Sequence, residues 1–246
     1  MDRMMFVAMT GATQILTAQS ANANNLANAN TTGFRSDETQ FRSLSVFGPG
    51  HPARAYALAE RPAINFQGGP IQSTGRDLDI ALEGEGWISV QSPDGSEAYT
   101  RAGDLRLDSG GVLVTGTGLP VLGNGGPIAI PPADKIQIGK DGTITIRPEG
   151  QPAATLAVID RIKLVKPDLA EMIKGVDGSM RLQSGEPAIA DASVRVSSGQ
   201  LEGSNVNPVE AMTKMIELGR LFEMQIKMMK TANENEAASA ELMKLS

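Results

Sequence analysis

The sequence contains no cysteine and a single histidine, His51, among 246 residues. Disulfides and thiol catalysis are therefore excluded, as are zinc sites built from Cys and His. Aromatic residues make up only 4%, so any core must be assembled from Ile, Leu, Val, Met and Ala. Positive charge is not in excess: 22 Lys and Arg face 28 Asp and Glu, for a net charge of −6. That balance argues against nucleic acid or an anionic membrane as a partner. No apolar run approaches the ~18 residues of a bilayer span, so no membrane insertion is expected. The opening residues, MDRMMFVAMTGATQ, lack the compact apolar stretch of a signal peptide, and Asp2 interrupts the basic region that would precede it. The expectation is a chain that stays in the cytoplasm or leaves by a route that removes nothing.

What is present falls into zones. With 41% apolar and 20% charged residues the chain reads as globular, with length for one large domain or two small ones. Residues 1–30 place Met5, Ala8, Ala12, Ile15 and Leu26 on a seven-residue repeat, with polar interruptions such as Asn22. This is a helix with a narrow seam of mostly small side chains. Residues 31–67 read as an extended connection. Residues 68–200 hold most of the 27 glycines and show alternation at LDIAL (78–82), WISV (87–90), KIQI (135–138), TITI (143–146) and SVRV (193–196). Turn signals lie between them at Asp94-Gly95, Ser109-Gly110-Gly111, Asn124-Gly125 and Asp141-Gly142. Residues 201–246 contain a strong helix start: Asn207 as cap, Pro208 in the first turn and Glu210 closing a capping box. Beyond it Met212, Met215, Phe222, Ile226 and Met229 recur at heptad-like spacing. The expected fold class is α+β, with N- and C-terminal coiled-coil-like helices flanking an irregular all-β domain.

Two arrangements of the helices fit this pattern. They can form a hairpin within the chain, packed on the sheet, or they can pack on copies of themselves and close relatives. The N-terminal seam holds few large aliphatics, too few for one partner helix to offset the entropy of ordering it, which favours several neighbours. Met-rich seams also suit non-identical neighbours. The five asparagines at 22, 24, 25, 28 and 30 are poor helix formers. They suit amide hydrogen bonds across a close helix contact, ordered on assembly; a solvated Asn-rich loop is the plainer alternative. The expected assembly surface comprises Met5, Ala8, Ala12, Ile15, Asn22, Asn25, Leu26, Asn28, Asn30, Phe34, Asn205, Asn207, Met212, Met215, Phe222, Ile226 and Met229.

Catalytic constellations are sparse. Residues 116–123, GTGLPVLG, have the wrong spacing for a dinucleotide loop and carry Pro120 where a helix would start, so a turn is expected. Asp77, Asp79, Glu83 and Glu85 could suggest calcium or glycosidase carboxylates, but alternation with Leu78 and Ile80 assigns the aspartates to the solvent face of a strand. His51 sits in a Gly/Pro-rich loop with no evident nucleophile. Arg101 and Asp104 could form a surface pair of little weight. No catalytic residue, metal or cofactor is expected.

Several motifs in fixed order resemble one family across nearly the whole chain. They are NLANANTTGF (25–34), LDIA (78–81), GEGW (84–87), YTRAGD (99–104), LVT through VLG (113–123) and GQLEGSNVN (199–207). Together they resemble the flagellar basal-body rod and hook proteins. RLFEMQ (220–225), with Phe222, Met224 and the following Met-rich run, resembles the proximal-rod branch, while Trp87 and Leu105 stand where the family usually has Phe. The resemblance implies a structural, non-enzymatic subunit exported unprocessed through the flagellar type III apparatus. It would assemble in the periplasm with other copies of itself and other rod proteins, its terminal helices forming the wall of a torque-transmitting tube around the export channel. The alternatives are a distal-rod or hook relative and, from another class, a secreted β-domain enzyme or glycan binder, which gives no reason for two patterned helices. No nucleic acid and no small-molecule substrate is expected as a partner.

Overall fold

A computed structural model describes residues 4–39, 41–45, 55–59, 63–151, 156–175 and 177–244. His51 lies outside the described residues. The chain divides into two compact units, one of residues 1–29, 36–65 and 206–246, the other of residues 30–35 and 66–205.

The first unit is built on α1 (Met4–Ala27) and α2 (Pro208–Lys244). Within α1 the hydroxyls of Thr10, Thr13 and Thr17 donate to carbonyls one turn back, which lets these residues sit in a helix. The helix α2 starts where the sequence predicts: Asn207 Oδ1 accepts from Val209 N at 3.0 Å and from Glu210 N at 3.4 Å. The two helices run antiparallel against each other, Asn22 of α1 meeting Ala211 and Gly11 meeting Gln225. Between them the segment read as an extended connection carries four strands. These are β1 (Asp37–Glu38), β2 (Phe41–Ser45), β3 (Ala55–Ala59) and β4 (Ala63–Ile64), with β1 paired antiparallel to β4 and β2 to β3. The sequence hid this hairpin because its strands lack a clear alternation of apolar and polar residues. Strand β3 lies along α1.

The second unit is β-rich and antiparallel. Its strands are β5 (Ile71–Ser73), β6 (Ile80–Glu83), β7 (Trp87–Gln91), β8 (Glu97–Thr100), β9 (Arg106–Leu107), β10 (Leu113–Val114), β11 (Ala133–Ile138), β12 (Thr143–Pro148), β13 (Ala157–Arg161), β14 (Leu164–Val165), β15 (Met172–Lys174), β16 (Met180–Leu182), β17 (Arg195–Ser198) and β18 (Gln200–Glu202). A five-stranded sheet runs β14-β7-β8-β16-β15, a three-stranded sheet β11-β12-β13, and β5/β18, β6/β17 and β9/β10 form ribbons. Ile80, Ile88, Val90, Leu105, Leu113, Val121, Ile128, Ile144 and Ile146 belong to one continuous aliphatic core. Its composition follows from the shortage of aromatics. Positive φ falls on Gly95, Gly111 and Gly142 as the turn signals predict, but on Gly126 rather than Gly125 in the fourth turn.

Candidate functional site

The helix pair shows a regular seam. On α1 the buried residues are Ala8, Gly11, Ala12, Ile15, Ala18, Asn22 and Asn25, and all except Ala12 follow alternating spacings of three and four. On α2 the same spacing links Ala211, Met215, Leu218, Phe222, Gln225, Met229 and Ala232, all buried or half-buried. Ile15, Ala18 and Leu218 form a buried cluster with Leu221 and Phe222 packed on it. Small residues make room for side chains of the facing helix: a Cβ on Gly11 would stand 3.1 Å from Gln225 Cδ.

Two of the asparagines, Asn22 and Asn25, serve this unit from inside. Asn22 Nδ2 donates to Ala211 O at 2.7 Å, joining the two helices. Asn25 makes a two-point clamp on β1, donating to Asp37 O and accepting from Asp37 N, both at 2.8 Å. Asn28 Nδ2 donates to Asn24 O, closing the end of the helix. The amides do bond across a helix contact, but within one chain.

This redistributes the expected assembly residues. Ala8, Ala12, Ile15, Asn22 and Asn25 are covered by their own chain. Met5, Leu26, Asn28, Met215, Phe222 and Met229 are half-buried, Asn30 and Asn207 exposed. Met212 and Ile226 point outward, 54% and 45% exposed, beside Val209, Ile216, Met224 and Met228. On α1 the outward apolar residues are Phe6, Met9 and Leu16. The sequence pattern mixed two stripes of α2 because apolar residues occupy more than half its circumference, and only packing separates the inner stripe from the outer one. Ala211, Leu218 and Ala232 were missed, although their exact seven-residue and fourteen-residue separations were legible.

Phe34 and Asn205 belong to the second unit, where they frame a buried charged clasp. Glu202 sits between two guanidiniums, with Arg35 Nη2 at 2.6 Å from Oε1 and Arg101 Nη1 at 3.0 Å from Oε2. Gly69 N also donates to Glu202 Oε1 at 3.0 Å, and Arg101 Nη2 donates to Gly84 O at 2.7 Å. Both guanidiniums lie over the Trp87 ring, Arg35 at 6.0 Å and Arg101 at 5.5 Å from its centroid, and Phe66 meets that ring edge-on. Backbone bonds stitch the entering and leaving chain together: Gly33 N donates to Glu202 O at 2.8 Å and Asn205 N to Phe34 O at 3.3 Å. Asn205 Nδ2 donates to Gln67 O, while Phe34 is buried with Lys174 Nζ 4.0 Å from its ring centre. Gly33 has φ +66°, and a Cβ there would stand 2.3 Å from the Arg101 carbonyl carbon, so no other residue fits.

Burial alone would push the Glu202 carboxyl up, but Arg35 and Arg101 outweigh it and hold the carboxyl below its ordinary value. Burial lowers the Arg35 guanidinium against the opposing pull of Glu202.

Other sequence candidates resolve differently. Arg101 pairs with Glu202 and not with Asp104, and it is buried; sequence proximity was a poor guide to a contact across 101 residues. Asp79 is 1% exposed, not on a solvent face, and lies 3.4 Å from Arg76 Nη1. The alternation fails there because Asp79 bridges to Asp104 directly before β6 and both faces of this stretch are buried, Ile80, Ala81 and Leu82 alike. Asp77, Glu83 and Glu85 are exposed. Residues 116–123 open with a tight turn: Gly118 N donates to Thr115 O, and Leu119 N donates to the Thr115 hydroxyl. Among the described residues no group of three or more His, Cys, Asp or Glu could hold a metal ion, and no helix is long and apolar enough to cross a membrane.

Three family models match the chain in order. Residues 5–35 match "Flagella basal body rod protein", residues 81–146 "Flagellar hook protein FlgE/F/G D1 domain", and residues 197–242 "Flagellar basal body rod FlgEFG protein C-terminal". Over 252 aligned residues and the whole of both chains, the sequence is 42% identical to flagellar basal-body rod protein FlgF of Escherichia coli. It is 34% identical to FlgF of Caulobacter vibrioides over 98% of each chain. It is 32% identical to FlgG of Bacillus subtilis over 95% of this chain and 96% of that protein. The chain belongs to the flagellar basal-body rod protein family. It is a structural rod subunit of the flagellar basal body and is most like FlgF. The three matched segments each lend one charge to the clasp: Arg35 from the first, Arg101 from the second and Glu202 from the third. The rod-family motifs TTGF, TRAG and QLEG are thus explained by a common meeting point, a role the sequence did not suggest for them.

Proposed function

We propose that this rod-family subunit polymerises through the outer faces of α1 and α2, with other copies of itself and with other rod proteins. The resulting tube would transmit torque and surround the export channel, assembled in the periplasm from chains exported without a cleaved signal. The observation that carries this reading is the apolar surface left over after the helices pair. Val209, Met212, Ile216 and Met224 on α2 are 73%, 54%, 60% and 50% exposed, and Phe6, Met9 and Leu16 on α1 at least 50%. Val209, Met212 and Ile216, at spacings of three and four, share one exposed stripe of α2, and exposed apolar surface of this kind marks an interaction surface. The inner seam then makes the two helices one element, and the outer stripes meet neighbours. Of the residues expected at the interface, Met212 and Ile226 carry contacts directly. Ala8, Ala12, Ile15, Asn22 and Asn25 act indirectly by holding the pair.

Ile216→Asp tests the reading without touching the inner seam. The expected outcome is loss of rod assembly and motility in a complemented strain, with helix content and Trp87 fluorescence unchanged in the purified chain. Motility at the native level with Ile216→Asp would overturn it.

A further inference from the structure

The outer face of the three-stranded sheet carries an arrangement that assembly through the helices does not use. Lys135 on β11 and Arg147 on β12 are register partners, so two cations stand directly opposite each other on one face. Like charges in that position oppose strand pairing. Beside them Gln137 is paired with Thr145, and Thr145 with Val158 of β13. Lys135, Arg147, Gln137, Thr145 and Leu156 line a recess of about 210 Å³.

Arg147 is only partly satisfied. Its Nε is buried from solvent without a hydrogen-bond partner, and its ion pair with Asp134 is long, 3.6 Å, beyond hydrogen-bond distance. Leu156 and Val158 are 60% and 68% exposed. The recess therefore offers two cations, an amide and a hydroxyl, with an aliphatic wall on one side.

We propose that this recess is a binding site for a carboxylate carried on a short aliphatic body. The acid would lie between Lys135 and Arg147 and relieve their mutual repulsion. A planar carboxylate suits the guanidinium fork. Gln137 and Thr145 would fix its orientation, and the methylenes would lie against Leu156. A glutamate side chain presented by a neighbouring subunit and a free organic acid share this chemistry.

The test uses the full chain with N-acetyl-glutamate as probe and N-acetyl-glutamine as control. Amide chemical shifts of residues 135–137 and 145–147 should move saturably with the acid and not with the amide. Arg147→Gln and Lys135→Gln should each weaken binding at least about five-fold, with folding checked by Trp87 fluorescence. Self-association measured by sedimentation separates the sources. If the probe and Arg147→Gln both reduce it, the acid comes from another copy; if neither does while the shifts remain, the ligand is free acid. Absence of saturable shifts at 50-fold excess over the protein, or equal shifts in both variants, would overturn the proposal.

Discussion

The helix pair and the β unit bury polar groups in opposite ways. In the helix pair the buried polar residues are amides, Asn22 and Asn25, and each bonds to backbone of its own unit. In the β unit they include, beside hydroxyls such as Ser89 and Thr115, a cluster of charges, with Glu202 clamped between Arg35 and Arg101. Neutral amides desolvate at modest cost and can be exchanged for water during assembly. A buried ion cluster is costly to break by removing one member. The difference fits an adaptable pair of helices and a fixed β unit whose entering and leaving segments are tied at one point.

The largest effect is expected at the clasp. Glu202→Gln leaves two buried guanidiniums without a counter-charge and should cost about 3–5 kcal/mol. Trp87, the only tryptophan, lies under both guanidiniums and reports this directly in urea unfolding. The pH dependence has a defined sign. The folded carboxyl is held below its ordinary value of 4.5, so its stabilisation is complete above that value and is lost as pH falls through the lower folded one. The wild type should lose stability in that acid range, and Glu202→Gln should lose less.

Next in size is Leu218→Ala on the helix seam. It should cost about 2–3 kcal/mol, because Leu218 fills the cluster with Ile15 and Ala18. Helical circular dichroism should melt earlier while Trp87 fluorescence holds its midpoint. A shift of both together would erase the contrast between the two regions. The smallest effect is expected at Asn25→Ala, which removes the two bonds to Asp37 and should cost about 1–2 kcal/mol. Faster hydrogen exchange at the Asp37 amide would localise the loss to β1.

Much of the fold was readable in the residues themselves. The start of α2 followed from Asn207 and Pro208, because capping is decided within one turn. Strands β11 and β12 followed from alternation, since each has one face on the core, and β7 followed from the alternation of Ile88 and Val90 with Ser89 although both its faces are buried. The hairpin of β2 and β3 was not readable, because its strands carry no such alternation. Nor was the clasp: Arg35, Arg101 and Glu202 look like surface charges until the chain brings them together. The helix seam was half legible, since heptad spacing identified both helices but did not say which stripe faced inward.

Local sequence determined the two helices, the turn glycines and the aliphatic character of the β core, because these depend on spacing and on neighbours a few residues away. The tertiary structure alone decided which asparagines bond to which backbone, that Arg101 meets Glu202 and not Asp104, and which apolar stripe of α2 is left outside. Those outcomes depend on contacts between residues far apart in the chain, where the free energy of pairing is set by burial that no local pattern encodes.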